Sequence, residues 1–370
     1  MPIGGISMPI GAMKRTLKFL LSLALIAGLY IGWLWLRPIG QFPELQCEHR
    51  ALSYDGQPLI GVEDMAYDSK NNQIFISAYD RHTKSPGGIY RWNITHKDAE
   101  VSRLDLPNTN PNAYWPHGFD LQQNDTQLRL SIIERDLSQS RYVNAQISQY
   151  SIAEDGTITL SKRLKQKSLC SSNNLITSAI WPHNIDSSQS FYITQDHQTC
   201  HKKEQILADI FNPHSAALLH WQENKNETDI IMEKLAYANG ITRTSKAVYL
   251  AETRAKRLTL LNVSEHTKIE RLGDISLPGG PDNLTSDGKS IIVALHPNLI
   301  RYAAFRAGWG PRVKSRFSMI STDNDIKTYD LSAELLSGAT VALRAKRHIY
   351  LGAAFDTGIA VCQLHEGDYE

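Results

Sequence analysis

The chain has no Cys-x-x-Cys pair, no Gly-x-Ser-x-Gly turn and no surplus of either charge. The first absence removes the common zinc and thiol-redox sites. The second argues against an α/β-hydrolase, whose serine sits on a strand-to-helix elbow. The third, 39 basic against 38 acidic residues, gives no long-range pull toward nucleic acid. Long amphipathic helices are scarce between Cys47 and Asn298, and long hydrophobic runs are absent but for one. What remains is a chain of 370 residues, 42% of them hydrophobic, which can bury a large core.

The one long apolar run is "FLLSLALIAGLYIGWLWL", Phe19 to Leu36, with Lys14, Arg15 and Lys18 before it. At about 1.5 Å per residue it nearly crosses a hydrocarbon core of about 30 Å, and it exceeds a signal h-region of about 7–15 residues. The expectation is an uncleaved signal anchor, with cleavage after Ala27-Gly28 as the competitor. Residues 1–18 then form a cytoplasmic basic region, residues 19–36 span the membrane, and residues 37–370 fold outside the cytosol, in a periplasm, a lumen or the extracellular space. Four cysteines follow: Cys47, Cys170, Cys200 and Cys362. An even count in an exported chain permits disulfides. A Cys47–Cys362 bridge would clasp the termini, worth at most roughly 4–5 kcal/mol in the chain-entropy model. Cys170 and Cys200 could pair within one loop region. Buried free thiols are the bland alternative for both pairs.

A phrase of one or two polar residues, a strand start, a polar turn and a second strand recurs six times. It reads "EDMAYDSKNNQIFISA" from Glu63 and "PHGFDLQQNDTQLRLSI" from Pro116. It returns as "PHNIDSSQSFYITQ" from Pro182, "ANGITRTSKAVYLAE" from Ala238, "PDNLTSDGKSIIVALH" from Pro281 and "GATVALRAKRHIYLGAA" from Gly338. Each copy is hairpin-like. A spacing of about 56 residues per copy suits a four-stranded blade of about 40–50 residues with loop insertions. The expected fold is therefore all-β, a six-bladed β-propeller behind the N-terminal helix. A pair of sandwiches or a larger propeller is the alternative. The segment from His296 to Phe317 departs from the β pattern. Leu299, Tyr302, Ala303 and Phe305 have helical spacing, and five basic residues accompany them, which suits a solvated helix, a lid over the mouth or a surface against membrane phosphates.

In a propeller the starts of the innermost strands converge on the axis. The convergent set is Glu63-Asp64, His117, His183-Asn184, Asn239, Asp282-Asn283 and Thr340. It offers carboxylates and amide oxygens and no thiol, which suits Ca²⁺ with its six to eight oxygen ligands. Adjacent acids can be buried if a divalent cation neutralises them. Singly, each motif is a common turn or loop.

These motifs, taken in order, resemble the paraoxonase/arylesterase family, six-bladed propeller lactonases and esterases with two calcium ions in the central tunnel. The resemblance covers about Cys47 to Leu364 and rests on "GVEDM", "PHGF", "ANGI", "PDNL", "ALHPN" and the strand text "VYLAETRAKRL" and "IYLGAAF". It implies a catalytic calcium on Glu63, Asn239, Asp282 and Asn283, a structural calcium on Asp64 and the Phe119 carbonyl, and a catalytic His117. It also implies a terminal disulfide, Cys47 to Cys362. The family's third-blade Asn-Asp pair matches "PHNID" in either of two registers. One gives His183-Asn184; the other gives Asn184 to the catalytic ion and Asp186 to the structural one. A one-residue slip flips the side chains, so both cannot hold without a bulge. The family's second histidine is replaced by Glu134-Arg135. Arginine stays protonated and cannot act as a base, which leaves Glu134 to orient His117. The resemblance thus implies a calcium-dependent carboxylic ester hydrolase of lactones or aryl esters, with His117 as general base toward water. Its partners are a small-molecule ester or lactone and the membrane, and not nucleic acid. The alternatives are a gluconolactonase-like or strictosidine synthase-like propeller enzyme, or a non-enzymatic anchored propeller that binds a partner.

Overall fold

The computed structural model describes residues 10–96, 99–124, 126–138, 141, 143–177, 190–212, 214–223, 225, 227–262 and 269–364. Six four-stranded antiparallel sheets make six blades of a propeller. Blade 1 runs from the axis outward through Val62–Asp68, Gln73–Asp80, Ser85–Asn93 and Ser102–Arg103. The inner strands of blades 2 to 6 are Trp115–Gln123, Ser172–Thr177, Ala238–Arg243, Gly280–Ser286 and Val341–Ala345. Each packs on the next, and Val341–Ala345 packs back on Val62–Asp68, which closes the ring.

The core lies between blades. Six apolar clusters fill the six gaps, one for each neighbouring pair. Strand periodicity explains how one sheet feeds two of them, because successive side chains point to opposite faces. In Gln73–Asp80, Ile74 and Ile76 face blade 6, while Phe75 faces blade 2. In Ser190–Gln195, Phe191 and Ile193 join the core toward blade 2, and Tyr192 the core toward blade 4. Hence the second strands read as almost unbroken hydrophobic runs.

Blade 6 takes its outermost strand from the N-terminal side. Cys47–Arg50 pairs with Ile359–Gln363, Cys47 opposite Cys362, and a disulfide joins them. A second disulfide joins Cys170 to Cys200. Two disulfides point to an oxidising, non-cytosolic compartment.

Three helices stand outside the sheets. Helix α1 is Ile10–Leu36, helix α2 Lys202–Phe211 and helix α3 Leu299–Arg306. Leu25, Leu29, Tyr30, Trp33 and Leu36 of α1 are exposed. Among the described residues no helix is long and apolar enough to cross a membrane. Helix α3 lies where the 299–305 spacing predicts it. Its N-cap Asn298 accepts from the Ile300 and Arg301 amides and donates to the Leu34 carbonyl of α1 (3.0 Å), while Arg301 Nε donates to the Trp35 carbonyl (2.8 Å).

Five of the six repeated phrases fall on inner strands. The third does not. Its hydrophobic half, "SFYITQ", is the second strand of blade 3, and the inner strand lies upstream at Ser172–Thr177. The "PHNID" stretch, with His183, Asn184 and Asp186, lies outside the described residues.

Candidate active site at the propeller axis

In a regular strand only one of two adjacent residues could face the channel. Here the pairing of inner and second strands slips at the first residues of five blades. The slips fall between Val62 and Asp64, Pro116 and Phe119, Ser172 and Leu175, Ala238 and Ile241, and Pro281 and Leu284. Such bulges re-aim side chains. As a result Glu63, His117, Asn173, Asn239, Asp282 and Thr340 line a cleft of about 590 Å³ at one end of the channel. Asp64, Phe119 and Asn174 line a cavity of about 540 Å³ at the other. Two glycines let the strands approach so closely. A Cβ on Gly118 would sit 2.6 Å from the Asn173 carbonyl oxygen, and one on Gly240 2.6 Å from Asn283 Cα.

Glu63 is buried at the floor of the cleft. Its Oε2 lies 3.1 Å from Arg81 Nη2, and its Oε1 3.3 Å from His117 Nδ1. Burial raises the Glu63 pKa, against the pull of the Arg81 guanidinium. Arg81 Nη2 is also 3.2 Å from His117 Nδ1, and its guanidinium stacks 4.0 Å above the Tyr79 ring. Burial, with the charges of Arg135, Arg81 and Arg306, holds His117 well below the usual histidine range. The imidazole is therefore neutral. Nδ1 thus lies between a guanidinium that can only donate and a carboxylate that accepts, while Nε2 is buried and has no partner. Across the cleft, Asp282 Oδ2 is 2.8 Å from His296 Nε2, and the His296 ring stacks on Tyr302 at 3.6 Å.

Two more acceptors in the cleft are buried without a partner, Asn173 Oδ1 and Asn239 Oδ1. An unpaired buried amide oxygen is costly, so two of them beside two carboxylates fit a hard cation. Among the described residues no three His, Cys, Asp or Glu side chains cluster as a metal site. The fit rests on amide oxygens added to Glu63 and Asp282. The deeper position differs. Asp64 Oδ1 accepts from the Met65 amide (2.9 Å), and Oδ2 accepts from the Phe119 amide (3.1 Å) and Asn174 Nδ2 (3.2 Å). Asn174 Nδ2 also donates to Asn283 Oδ1 (2.9 Å), while its Oδ1 accepts from the Leu175 amide. Donors surround Asp64, so these residues do not fit a second ion. Burial pushes the Asp64 carboxyl up to about 7, and those donors pull the other way.

A polar chain ties the cleft to α2. Arg135 donates to the Ser172 carbonyl and, at 3.1 Å, to Asp196 Oδ2. Asp196 Oδ1 is 2.9 Å from His197 Nδ1, and His197 Nε2 is 2.8 Å from Asp209 Oδ1 on α2. Burial opposes a charge on His197, yet its two carboxylate partners lift it to about 9. Burial likewise opposes a charge on Asp196, but His197, Arg135 and Ser171 hold it well below the carboxylate range. The Cys170–Cys200 disulfide fixes the start of α2 beside the inner strand of blade 3.

The structure thus brings together Glu63, His117, Asn239 and Asp282 in the cleft, and sets Asn283, which bonds to Asn174 and to the Glu63 carbonyl, one step deeper with Asp64 and Phe119. It does not bring Glu134 to His117. The Glu134 carboxylate accepts from Gln146 Nε2 (2.5 Å) and the Tyr150 hydroxyl (3.3 Å), while Arg135 beside it faces the cleft. In blade 3 the axial residues are Asn173 and Asn174, which sequence reading passed over. Their signal was present in "SNNLIT", a polar pair before an apolar strand start, but it lacks the proline that marks three of the other phrases. Helix α2, Arg81 and Asp196-His197 carried no signal of that kind.

A closed ring with buried carboxylates and amides on its axis, under a cleft roofed by two helices, is a propeller that handles small molecules at its channel. A profile of the arylesterase family matches residues 76–364, and the chain belongs to that family. It is similar to serum paraoxonase/lactonase 3 of Mus musculus, 22% identical over 288 residues, 75% of this chain and 77% of the relative. It is also similar to human serum paraoxonase/arylesterase 2, 26% identical over 224 residues, 58% of each chain. Among solved structures, the calcium-binding protein regucalcin of Agrobacterium tumefaciens superposes with a TM-score of 0.50 at 13% identity. That match covers 88% of this chain and 95% of regucalcin, and it shows the fold alone. Family and relatives together support a lactonase- or esterase-type propeller enzyme.

Proposed function

We propose that the protein is a calcium-dependent hydrolase of lactones or aryl esters. One observation carries the reading. Three buried polar atoms without partners, His117 Nε2, Asn173 Oδ1 and Asn239 Oδ1, line one cleft with two carboxylates. Glu63, Asn173, Asn239 and Asp282 would hold the ion, with Asn283 bracing them from below through the Glu63 carbonyl; when bound, the ion supplies Lewis acidity toward an ester carbonyl. His117 takes the proton from water at Nε2 in the tautomer whose Nδ1–H faces Glu63 Oε1, 3.3 Å away. Its neutral state leaves that lone pair ready. His296 orients Asp282. Helices α2 and α3 narrow the access of bulk water. A small-molecule ester or lactone is the partner, and the exposed apolar residues of α1 would hold the propeller at a membrane, outside the cytosol.

The test is hydrolysis of phenyl acetate and of a medium-chain γ- or δ-lactone by the full chain, with calcium, with chelator and with calcium restored. Turnover should vanish with chelator and return with calcium. Turnover indifferent to chelator would remove the ion from the reading. Calcium-dependent thermal stability without turnover would leave a metal-binding propeller and remove the hydrolase.

A further inference from the structure

The lining of the cleft carries more basic than acidic side chains. Six basic side chains line it, Arg81, Lys84, Arg135, Lys202, Arg254 and Arg306, against the four carboxylates of Glu63, Asp196, Asp209 and Asp282. The whole chain carries a net charge of only +1, so this surplus is local. Three of the arginines are matched: Arg81 by Glu63, Arg135 by Asp196 and Arg254 by Asp209. Arg306 is not. Among the described residues no carboxylate lies within ion-pair distance of it. Its guanidinium lies over the rings of Tyr302 (5.8 Å) and Phe355 (5.4 Å), with Tyr237 beside it in the lining of the cleft. The last turn of α3 favours a cation there, but that explains the charge and not its aim over the cleft. Aromatic faces take no hydrogen bond from the edge of the fork and leave its N–H groups for an acceptor. At the rim, the nearby charge of Lys84 adds to burial in lowering the Lys202 pKa, as two cations crowded at one mouth would. A dication bound at Glu63 and Asp282 would add to this surplus.

We propose that the cleft accepts substrates bearing an anionic oxyacid group, a carboxylate or a phosphate, which Arg306 holds at the mouth while the ester or lactone carbonyl lies under His117. This rests on the hydrolase reading for the second half of the statement only. Arg306 is a specificity residue in this arrangement, since it grips the far end of the substrate. A planar guanidinium fork suits both oxyacids.

Binding and turnover test it separately. Calorimetry with the full chain compares N-phenylsuccinamic acid with its neutral counterpart N-phenylbutanamide, neither of them an ester, and adds phenyl phosphate as the second anion. The carboxylate or the phosphate should bind at least about tenfold more tightly than the neutral amide, and high salt should shrink the ratio. The better anion identifies the oxyacid. In Arg306→Ala the ratio should fall toward one, and Arg306→Lys, which keeps the charge without the fork, should fall between. A ratio of one in the wild type, or a ratio unchanged in Arg306→Ala, overturns the proposal. A melting temperature for each variant separates misfolding from lost recognition. Monophenyl succinate against phenyl butyrate then reads the same preference in kcat/KM. Anion binding without hydrolysis of either ester sinks the hydrolase and keeps the anion site; equal hydrolysis of both sinks the anion site and keeps the hydrolase.

Discussion

His197 should keep its proton to unusually high pH, and α2 should depend on it. The ring is buried between Asp196 and Asp209, with one nitrogen on each carboxylate. Those partners outweigh burial and lift the pKa from 6.5 to about 9. At about 1.4 kcal/mol per pH unit, the gap is worth about 3 kcal/mol as an upper figure. The sign follows from linkage. A raised folded pKa gives stability that is fully present below 6.5, declines as pH rises and is gone above about 9. Both carboxylates stay ionised throughout, so the loss belongs to the imidazolium. His197→Gln removes the charge at every pH. Its deficit against wild type should be greatest near pH 6 and shrink steadily toward pH 9.5. The assay is denaturant unfolding across that range with the disulfides intact, alongside an NMR titration of the His197 ring. Amide exchange in Lys202–Phe211 should quicken over the same window, since Asp209 is the helix's hold on the ring. An imidazole titrating near 6.5, or a deficit independent of pH, would refute the argument.

Replacing Cys47 and Cys362 by serine should lower stability by up to roughly 4–5 kcal/mol, read as a fall in melting temperature, and should loosen Cys47–Arg50 first in amide exchange. Gly240→Ala places a methyl 2.6 Å from Asp282 O and Asn283 Cα, so calcium-induced thermal stabilisation should drop sharply while the outer strands of the blades stay ordered. His117→Asn should cut kcat by about 10²–10⁴-fold with an unchanged circular dichroism spectrum. In the wild type the acid limb of the pH–rate profile should lie well below 6.5, because His117 stays neutral there; a limb at 6.5 would mean a solvated imidazole.

The ring was readable because each blade repeats one phrase, and because second strands buried on both faces cannot hide their hydrophobicity. The axial residues were readable only where one or two polar residues begin that phrase. Glu63-Asp64, His117, Asn239 and Asp282-Asn283 do so. Asn173-Asn174 do as well, but twelve residues outside the described set separate them from the apolar half of their hairpin, and the eye joins "SFYITQ" to the nearer "PHNID". What decides whether two neighbours can both reach the axis is a bulge, a backbone event with no residue code of its own. The roles of Glu134 and Arg135 were not readable for the same reason. The slip between Pro116 and Phe119 sets which of the two meets the axis, with Arg135 at the cleft and Glu134 on Gln146 and Tyr150. Contacts built by distant loops, such as Arg81 on His117 or Asp209 on His197, leave no local trace at all.

The closing strand also decides how the molecule bears a pull. Tension entering the chain beyond Arg37 first meets blade 5, where the Gly40 carbonyl accepts from Arg316 Nη2 and the Phe42 amide donates to Asp330. It next reaches Cys47, and there the covalent bond to Cys362 carries it into the last strand of the ring. The four-residue ladder Cys47–Arg50 on Ile359–Gln363 is bypassed and is never sheared. A tug on the N-terminal helix therefore loads the propeller as a hoop and does not unzip it, so tethering and an intact axial site are mechanically compatible.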